Sequence, residues 1–212
     1  MKLKQTDKKT YLENLERINY FEYNDKREIE GFTKVIINSF FKPLVEENIQ
    51  LLINPFTFKF DNRIYLIDFV VEKFILDKIG IQNKYGMEIN ENAELNDFFK
   101  FIAKLGLNVL ISKLKYVDKD ENEFKIDLEV NKRNYNLCQN YEHEKYDYYI
   151  IYQFVNILNN ELTKIKSKER IYFINNYPFT IIFLNLEIYN YLKELEPKEL
   201  RPVEPQEWEY IN

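Results

Sequence analysis

The sequence predicts an α+β protein, and three observations carry that expectation. Apolar residues recur at helical spacing in about six segments. Shorter alternating or dense apolar segments come in pairs around brief polar turns, the pattern of β-hairpins. The 212-residue chain also has only 4 Gly and 6 Pro, where average usage would give roughly 15 and roughly 10. Chains of that kind favour regular elements with short connections. The expected architecture is about six helices interleaved with three antiparallel β-hairpins. They would form a single compact domain over residues 1–195, with a subdivision, if any, near 81–92. An extended Pro/Glu-rich C-terminal arm over 196–212 follows.

Residues 7–18 read as a first helix, with Asp7 as cap and Tyr11, Leu12, Leu15 and Ile18 on one face. Asp25 and Glu28 have the spacing of a capping box at the start of a second. Its stripe is Ile29, Phe32, Ile36 and Phe40, and Pro43 ends or kinks it. Phe56, Phe58 and Phe60 alternate as a strand, Asp61-Asn62 makes a turn, and Arg63 to Ile67 returns. A helix carrying Val70, Val71, Phe74, Ile75 and Ile79 follows, stopped by Gly80.

The stretch 93–105 is the next helix, with Leu95, Phe98, Phe99, Ile102 and Leu105 on one side and Gly106 after it. Strand 107–117, a polar turn at 118–122 and strand 123–131 form the second hairpin. In 123–131, Phe124, Ile126, Leu128 and Val130 alternate with Lys125, Asp127, Glu129 and Asn131, as expected of a half-exposed strand. Residues 132–146 read as polar and irregular. Asp147 then opens a long helix carrying Ile151, Phe154, Val155, Leu158, Leu162 and Ile165. Arg170–Ile174 and Phe179–Leu184 flank a third turn, and Asn185 caps a last helix with Ile188, Leu192 and Leu195 inward.

Charge and composition narrow the function classes. The formal net charge is −5, which argues against nonspecific binding to nucleic acid or anionic membranes, since both need a cationic face. The one dense basic run, Lys2, Lys4, Lys8 and Lys9, is interrupted by Asp7. A basic protein partner is the reading this charge permits. Cys138 is the single cysteine, so no internal disulfide can form and a reducing compartment is expected. The opening residues are polar and precede no apolar run, so no signal peptide is expected. No apolar run approaches the ~18 residues of a membrane span. The expectation is a cytoplasmic protein.

Familiar chemistry finds little support. Gly31, Gly80, Gly86 and Gly106 are too scattered for a phosphate-binding loop. His143 is the single histidine, and neither a Ser-His-Asp set nor a Cys138/His143 pair has a supporting context. Asp118, Asp120, Asn122 and Glu129 stand at positions 1, 3, 5 and 12 of a calcium loop. Position 6, however, is Glu123 instead of Gly, and the flanks alternate like strands. An extended 123–129 would hold Glu129 roughly 20 Å from Glu123. Asp118 with Glu123-Phe124-Lys125 superficially resembles the Asp…Glu-x-Lys pattern of a nuclease superfamily, but the gap is too short. No cofactor and no metal site are expected.

Two features suggest recognition. Glu123, Asp127 and Glu129 line one face of the strand 123–131, whose edge is expected to be exposed. The C-terminal arm carries Trp208 and Tyr210 among glutamates, residue types that serve as interface anchors. These five residues are the candidate partner-binding site; the competing reading for Trp208 is an anchor that packs the arm on its own domain. The expected function is a non-catalytic protein-binding module, most concretely an acidic inhibitor that neutralises a basic toxin or enzyme by occlusion. In style it resembles bacterial immunity proteins, a class-level likeness with no motif behind it. The alternatives are a carboxylate- or metal-dependent hydrolase or nuclease-like enzyme, whose carboxylates would share a pocket, and an assembly subunit such as a homodimer.

Overall fold

The computed structural model describes residues 8–38, 62–67, 93–116, 124–139, 146–174, 180–194 and 201–208. Five α-helices and two sheets lie within them, and the α+β class holds. The helices are α1 (Lys8–Arg17), α2 (Lys26–Asn38), α3 (Ala93–Lys104), α4 (Tyr146–Lys164) and α5 (Leu186–Lys193). The strands are β1 (Ile64–Leu66), β2 (Val109–Tyr116), β3 (Phe124–Val130), β4 (Arg133–Gln139), β5 (Arg170–Ile174), β6 (Thr180–Leu184) and β7 (Pro202–Val203). The expected strand at 56–60, the helix after Ile67 with its Gly80 stop, and the connection 81–92 fall outside the described residues. So do Asp7, Asp61, Phe40 and Pro43.

The chain divides into two compact units. One joins Met1–Tyr65 to Lys168–Trp208, and the other is built mainly from Leu66–Ser167. The first unit is therefore discontinuous in sequence.

In the first unit the sheet order is β1-β6-β5-β7, with β5 antiparallel to both β6 and β7. The third hairpin is borne out in its strands over 170–174 and 180–184; its turn at 175–178 and the expected first strand residue, Phe179, lie outside the described residues. Tyr172 and Ile174 on β5, with Ile182 and Leu184 on β6, share a core with Tyr11, Leu15, Phe32, Ile36, Ile188 and Leu192 of the three helices. The alternate residues Ile171, Phe173, Ile181 and Phe183 are buried too. Burial on both faces explains why 180–184 reads as a continuous apolar run instead of an alternating one. The capping box at α2 is present: Glu28 N–H donates to Asp25 Oδ1 and Asp25 N–H to Glu28 Oε2, both 2.8 Å. Asn185 caps α5 by accepting from Ile188 N–H at 3.0 Å.

The extended arm needs correction. Pro202–Val203 adds a short strand to β5, and Pro205–Glu207 forms a 3-10 turn. Proline is tolerated there because the first N–H of a helical turn has no internal acceptor anyway.

In the second unit β3 lies between β2 and β4, both antiparallel to it, with α4 packed against β4. The second hairpin is borne out, but 132–139, expected to be irregular, is not; residues 140–145 lie outside the described residues. Asn131 and Lys132 take positive φ of 50° and 64°, a two-residue turn of the type that matches strand twist, and β4 follows at once. Two bulges bend the sheet, one between Leu110 and Lys113 and one opposite Ile126/Asp127. On α4, Ile151, Phe154, Val155, Leu158 and Leu162 are buried as expected, whereas Ile165 is 38% exposed. On α3, Phe101 is buried beside Phe98 and Ile102, so its apolar stripe is wider than the expected set.

Three helices end alike. After α1, Asn19 N–H donates to Glu16 C=O and Tyr20 N–H to Leu15 C=O. After α3, Gly106 and Leu107 bond Ala103 and Ile102; after α4, Lys166 and Ser167 bond Thr163 and Leu162. Asn19, Gly106 and Lys166 carry φ of 57°, 87° and 58°, so each is the left-handed residue of a Schellman cap. The stop expected at Gly106 is borne out by its mechanism.

Candidate functional site

Of the five expected partner-binding residues, the structure describes three. Asp127 and Glu129 are half-buried on β3, on the sheet face opposite Leu128 and Val130. Their strand is central, not an edge: Asp127 pairs in register with Lys113 and Asn136, and Glu129 with Leu110 and Asn134. Asn136 Nδ2 donates to Asp127 Oδ1 at 3.3 Å. The row that was expected to border an open edge is thus flanked by amides on the β4 side and by Lys113 and Leu110 on the β2 side. Trp208 is fully buried, its ring stacked on Phe173 at 3.9 Å and 6°. Its apolar area is already used within its own unit, so it is no free anchor. Glu123 and Tyr210 lie outside the described residues, as do Asp118 and His143.

Among the described residues the buried charges lie elsewhere, in two clusters outside the expected site. In the first unit Arg63 and Glu169 form an ion pair at 3.0 Å with side chains 0% and 2% exposed. Arg63 precedes β1 and Glu169 precedes β5, so the backbone brings together residues 106 positions apart. The guanidinium also donates to the Tyr20 carbonyl at 2.5 Å, to Phe183 at 3.0 Å and to Asn19 at 3.3 Å. Two of those carbonyls belong to the cap of α1 and the third to β6. Tyr23 covers the fork, its ring centroid 4.7 Å from the guanidinium carbon, and its hydroxyl donates to Glu169 Oε1 at 3.1 Å. Burial, with the Glu169 charge beside it, pushes the Tyr23 phenol well above its usual range. Asn62 extends the cluster, donating to the Tyr23 carbonyl at 3.0 Å and to Glu28 of the capping box at 2.9 Å.

In the second unit Glu161 is fully buried on α4, at the end nearest the β3–β4 turn. Its Oε1 accepts from the Tyr135 hydroxyl and from Lys164 Nζ at 2.8 Å. Its Oε2 accepts from Arg133 Nη1 at 2.6 Å and from Asn131 Nδ2 at 3.4 Å. Lys164 and Arg133 are half-exposed, 45% and 52%, so one layer of side chains separates the carboxylate from water. Burial alone would raise the Glu161 pKa. Hydrogen bonds from Lys164 and Tyr135, with the charges of Lys164 and Arg133, outweigh it and hold the carboxyl below its usual range. The same bonds raise the Lys164 ammonium.

These arrangements constrain what the clusters can do. A general base needs a carboxylate with a free lone pair and an affinity for protons. Glu161 has two bonds on each oxygen and its proton affinity reduced; Glu169 is buried between Tyr23 and Arg63, sealed from solvent. Each is a clamp between elements. Among the described residues no group of three or more His, Cys, Asp or Glu converges as metal ligands. Neither does any helix there have the length and apolarity to cross a membrane.

One signal for Glu161 was present in the sequence: it falls on the apolar face of α4, three residues after Leu158 and seven after Phe154. A carboxylate there demands partners. Arg63 and Glu169 carried no such mark. Comparison with protein-family models, curated proteins and solved structures returns no match.

Proposed function

We propose that this chain is a non-catalytic protein-binding module that recognises a basic partner protein, with occlusion of a toxin or enzyme as its most specific form. The observation that carries the reading is the fate of the clustered ionisable groups. Arg63 and Glu169 cancel, and Glu161 with Arg133 and Lys164 sums to +1, so the rest of the chain holds −6 of the net −5. That surplus is left for long-range attraction of a positive surface. Asp127 and Glu129 are the described members of the recognition face, with Glu123 and Tyr210 as its further proposed members.

The test is capture by the immobilised protein from its host's lysate at low and high salt, followed by assay of whatever is retained. A basic protein should be held at low salt, released at high salt and inhibited by the wild-type chain. Asp127→Lys with Glu129→Lys should weaken both effects. Retention of no basic protein, or turnover of a phosphodiester or ester substrate by the purified chain itself, overturns the reading.

A further inference from the structure

Three chain segments of the second unit converge at one end, and all three are basic. The cap of α3 meets the end of α4: a Cβ added to Gly106 would stand 3.2 Å from Ile165 Cδ1. The same segment meets the β3–β4 turn, where Asn131 N–H donates to Asn108 C=O at 2.8 Å and Asn108 N–H to Asn131 Oδ1 at 2.9 Å. The turn in turn meets α4 through Arg133 and Glu161. Lys104, Lys132, Arg133, Lys164 and Lys166 therefore share one end of the unit, all exposed. Among the described residues, Lys104, Lys132 and Lys166 pair with no acid.

Dipole compensation does not account for this much charge. Each helix C-terminus carries about −0.5, so the ends of α3 and α4 call for about one positive charge. The five cations less Glu161 give +4, which leaves about +3 after both helix ends. The remainder of the chain then carries −9 of the net −5. Ile165, 38% exposed, stands between Lys164 and Lys166 as an apolar centre.

We propose that this end of the second unit is a docking surface for an acidic polypeptide segment carrying an apolar residue, which seats on Ile165 while its carboxylates meet the ring of lysines. A long polyanion fits less well. The net −9 of the rest of the chain repels a long polyanion of high charge more than a short segment. A short acidic segment meets the patch alone. The surface is opposite in sign to the one proposed above and stands or falls separately from it.

The test uses the full chain and fluorescence anisotropy with two labelled probes: a short oligo-Glu peptide with a central Leu, and a single-stranded oligonucleotide of equal charge. The peptide should bind wild type at low salt and bind Lys132→Glu/Lys166→Glu about tenfold more weakly, as two reversed surface charges warrant. A control of equal net charge, Lys26→Glu/Lys34→Glu in the first unit, should bind like wild type. Equal peptide binding by the two double variants, no binding by wild type, or tighter binding of the oligonucleotide than of the peptide each overturns the proposal.

Discussion

Replacing Glu161 with Gln keeps the shape of the side chain and removes the negative charge at the centre of the second unit's clamp. The carboxylate accepts four hydrogen bonds, two on each oxygen. An amide offers one oxygen and one NH2, so whichever way it turns, a cationic donor on one side meets another donor. The cost of stranding a fully buried charge, about 3–5 kcal/mol, does not apply, because Arg133 and Lys164 are half-exposed and can turn to water. What is lost is the charge-assisted bonding of a buried carboxylate, less the hydration its partners regain, about 2–3 kcal/mol in all. At about 1.4 kcal/mol per decade, amide exchange across the β3–β4 hairpin should speed up by roughly 30- to 150-fold.

Hydrogen exchange read by mass spectrometry on peptides from 124–139 and 149–167 measures this directly. Fluorescence does not, since the single tryptophan is in the other unit. The pH dependence sharpens the test. The folded Glu161 carboxyl sits below its usual value of about 4.3, so its stabilisation is complete above that value. It is lost as pH falls through the lower folded value. The gap between wild type and Glu161→Gln should therefore be full near neutrality and close only in strong acid. Equal exchange at pH 7, or a gap that survives unchanged after the carboxyl is protonated, would refute the clamp.

Arg63→Ala should cost the first unit about 3–5 kcal/mol, because Glu169 is left buried without its cation; urea unfolding followed by Trp208 fluorescence should show a much lower midpoint, and an unchanged midpoint contradicts the pair's burial. Trp208→Ala should cost about 3–5 kcal/mol through the lost stack on Phe173, read by circular dichroism; a loss below about 1 kcal/mol would mean that the C-terminal segment does not pack on β5. Lys166→Gly should stabilise the second unit by about 0.5–1 kcal/mol, since glycine takes the positive φ of the α4 cap without a Cβ penalty; slower exchange at the end of α4 is the expected sign, and faster exchange contradicts the cap.

What the sequence disclosed was local. The capping box at Asp25/Glu28, the Asn185 cap, the Gly106 stop and the alternation of 124–130 each depend on residues within a few positions of one another, and each was legible. The β3–β4 turn is just as local but was missed, because Asn131-Lys132 lacks the glycine that usually marks such turns. Arg133 and Asn134 then look like loop, although Tyr135 and Leu137 keep the two-residue period. The Arg63–Glu169 cluster was illegible for a different reason. Arg63 meets Glu169 only because β1 and β5 belong to one sheet whose sequence is interrupted by the whole second unit. The sequence left two readings of Trp208 open for the same reason: five glutamates and three prolines around it suggested an exposed arm, while a two-residue strand on β5 turns the ring inward, as the packing reading had it.

Arg63 also bears on how a discontinuous unit is held together. Replacing a buried ion pair by apolar residues is often neutral or stabilising, because the pair's desolvation is costly. That rule assumes the two charges have only each other. Here the guanidinium serves the Asn19 and Tyr20 carbonyls from the first stretch of the unit, and the Phe183 carbonyl and Glu169 from the second. An Arg63→Met, Glu169→Met double variant would remove the charges yet strip all three backbone acceptors of this donor, at about 1–3 kcal/mol for each that is left unsatisfied. The residue thus works less as half of an ion pair than as a five-donor fastener between stretches that the chain separates by about a hundred positions. Lysine, with three donors and no planar fork, cannot replace it.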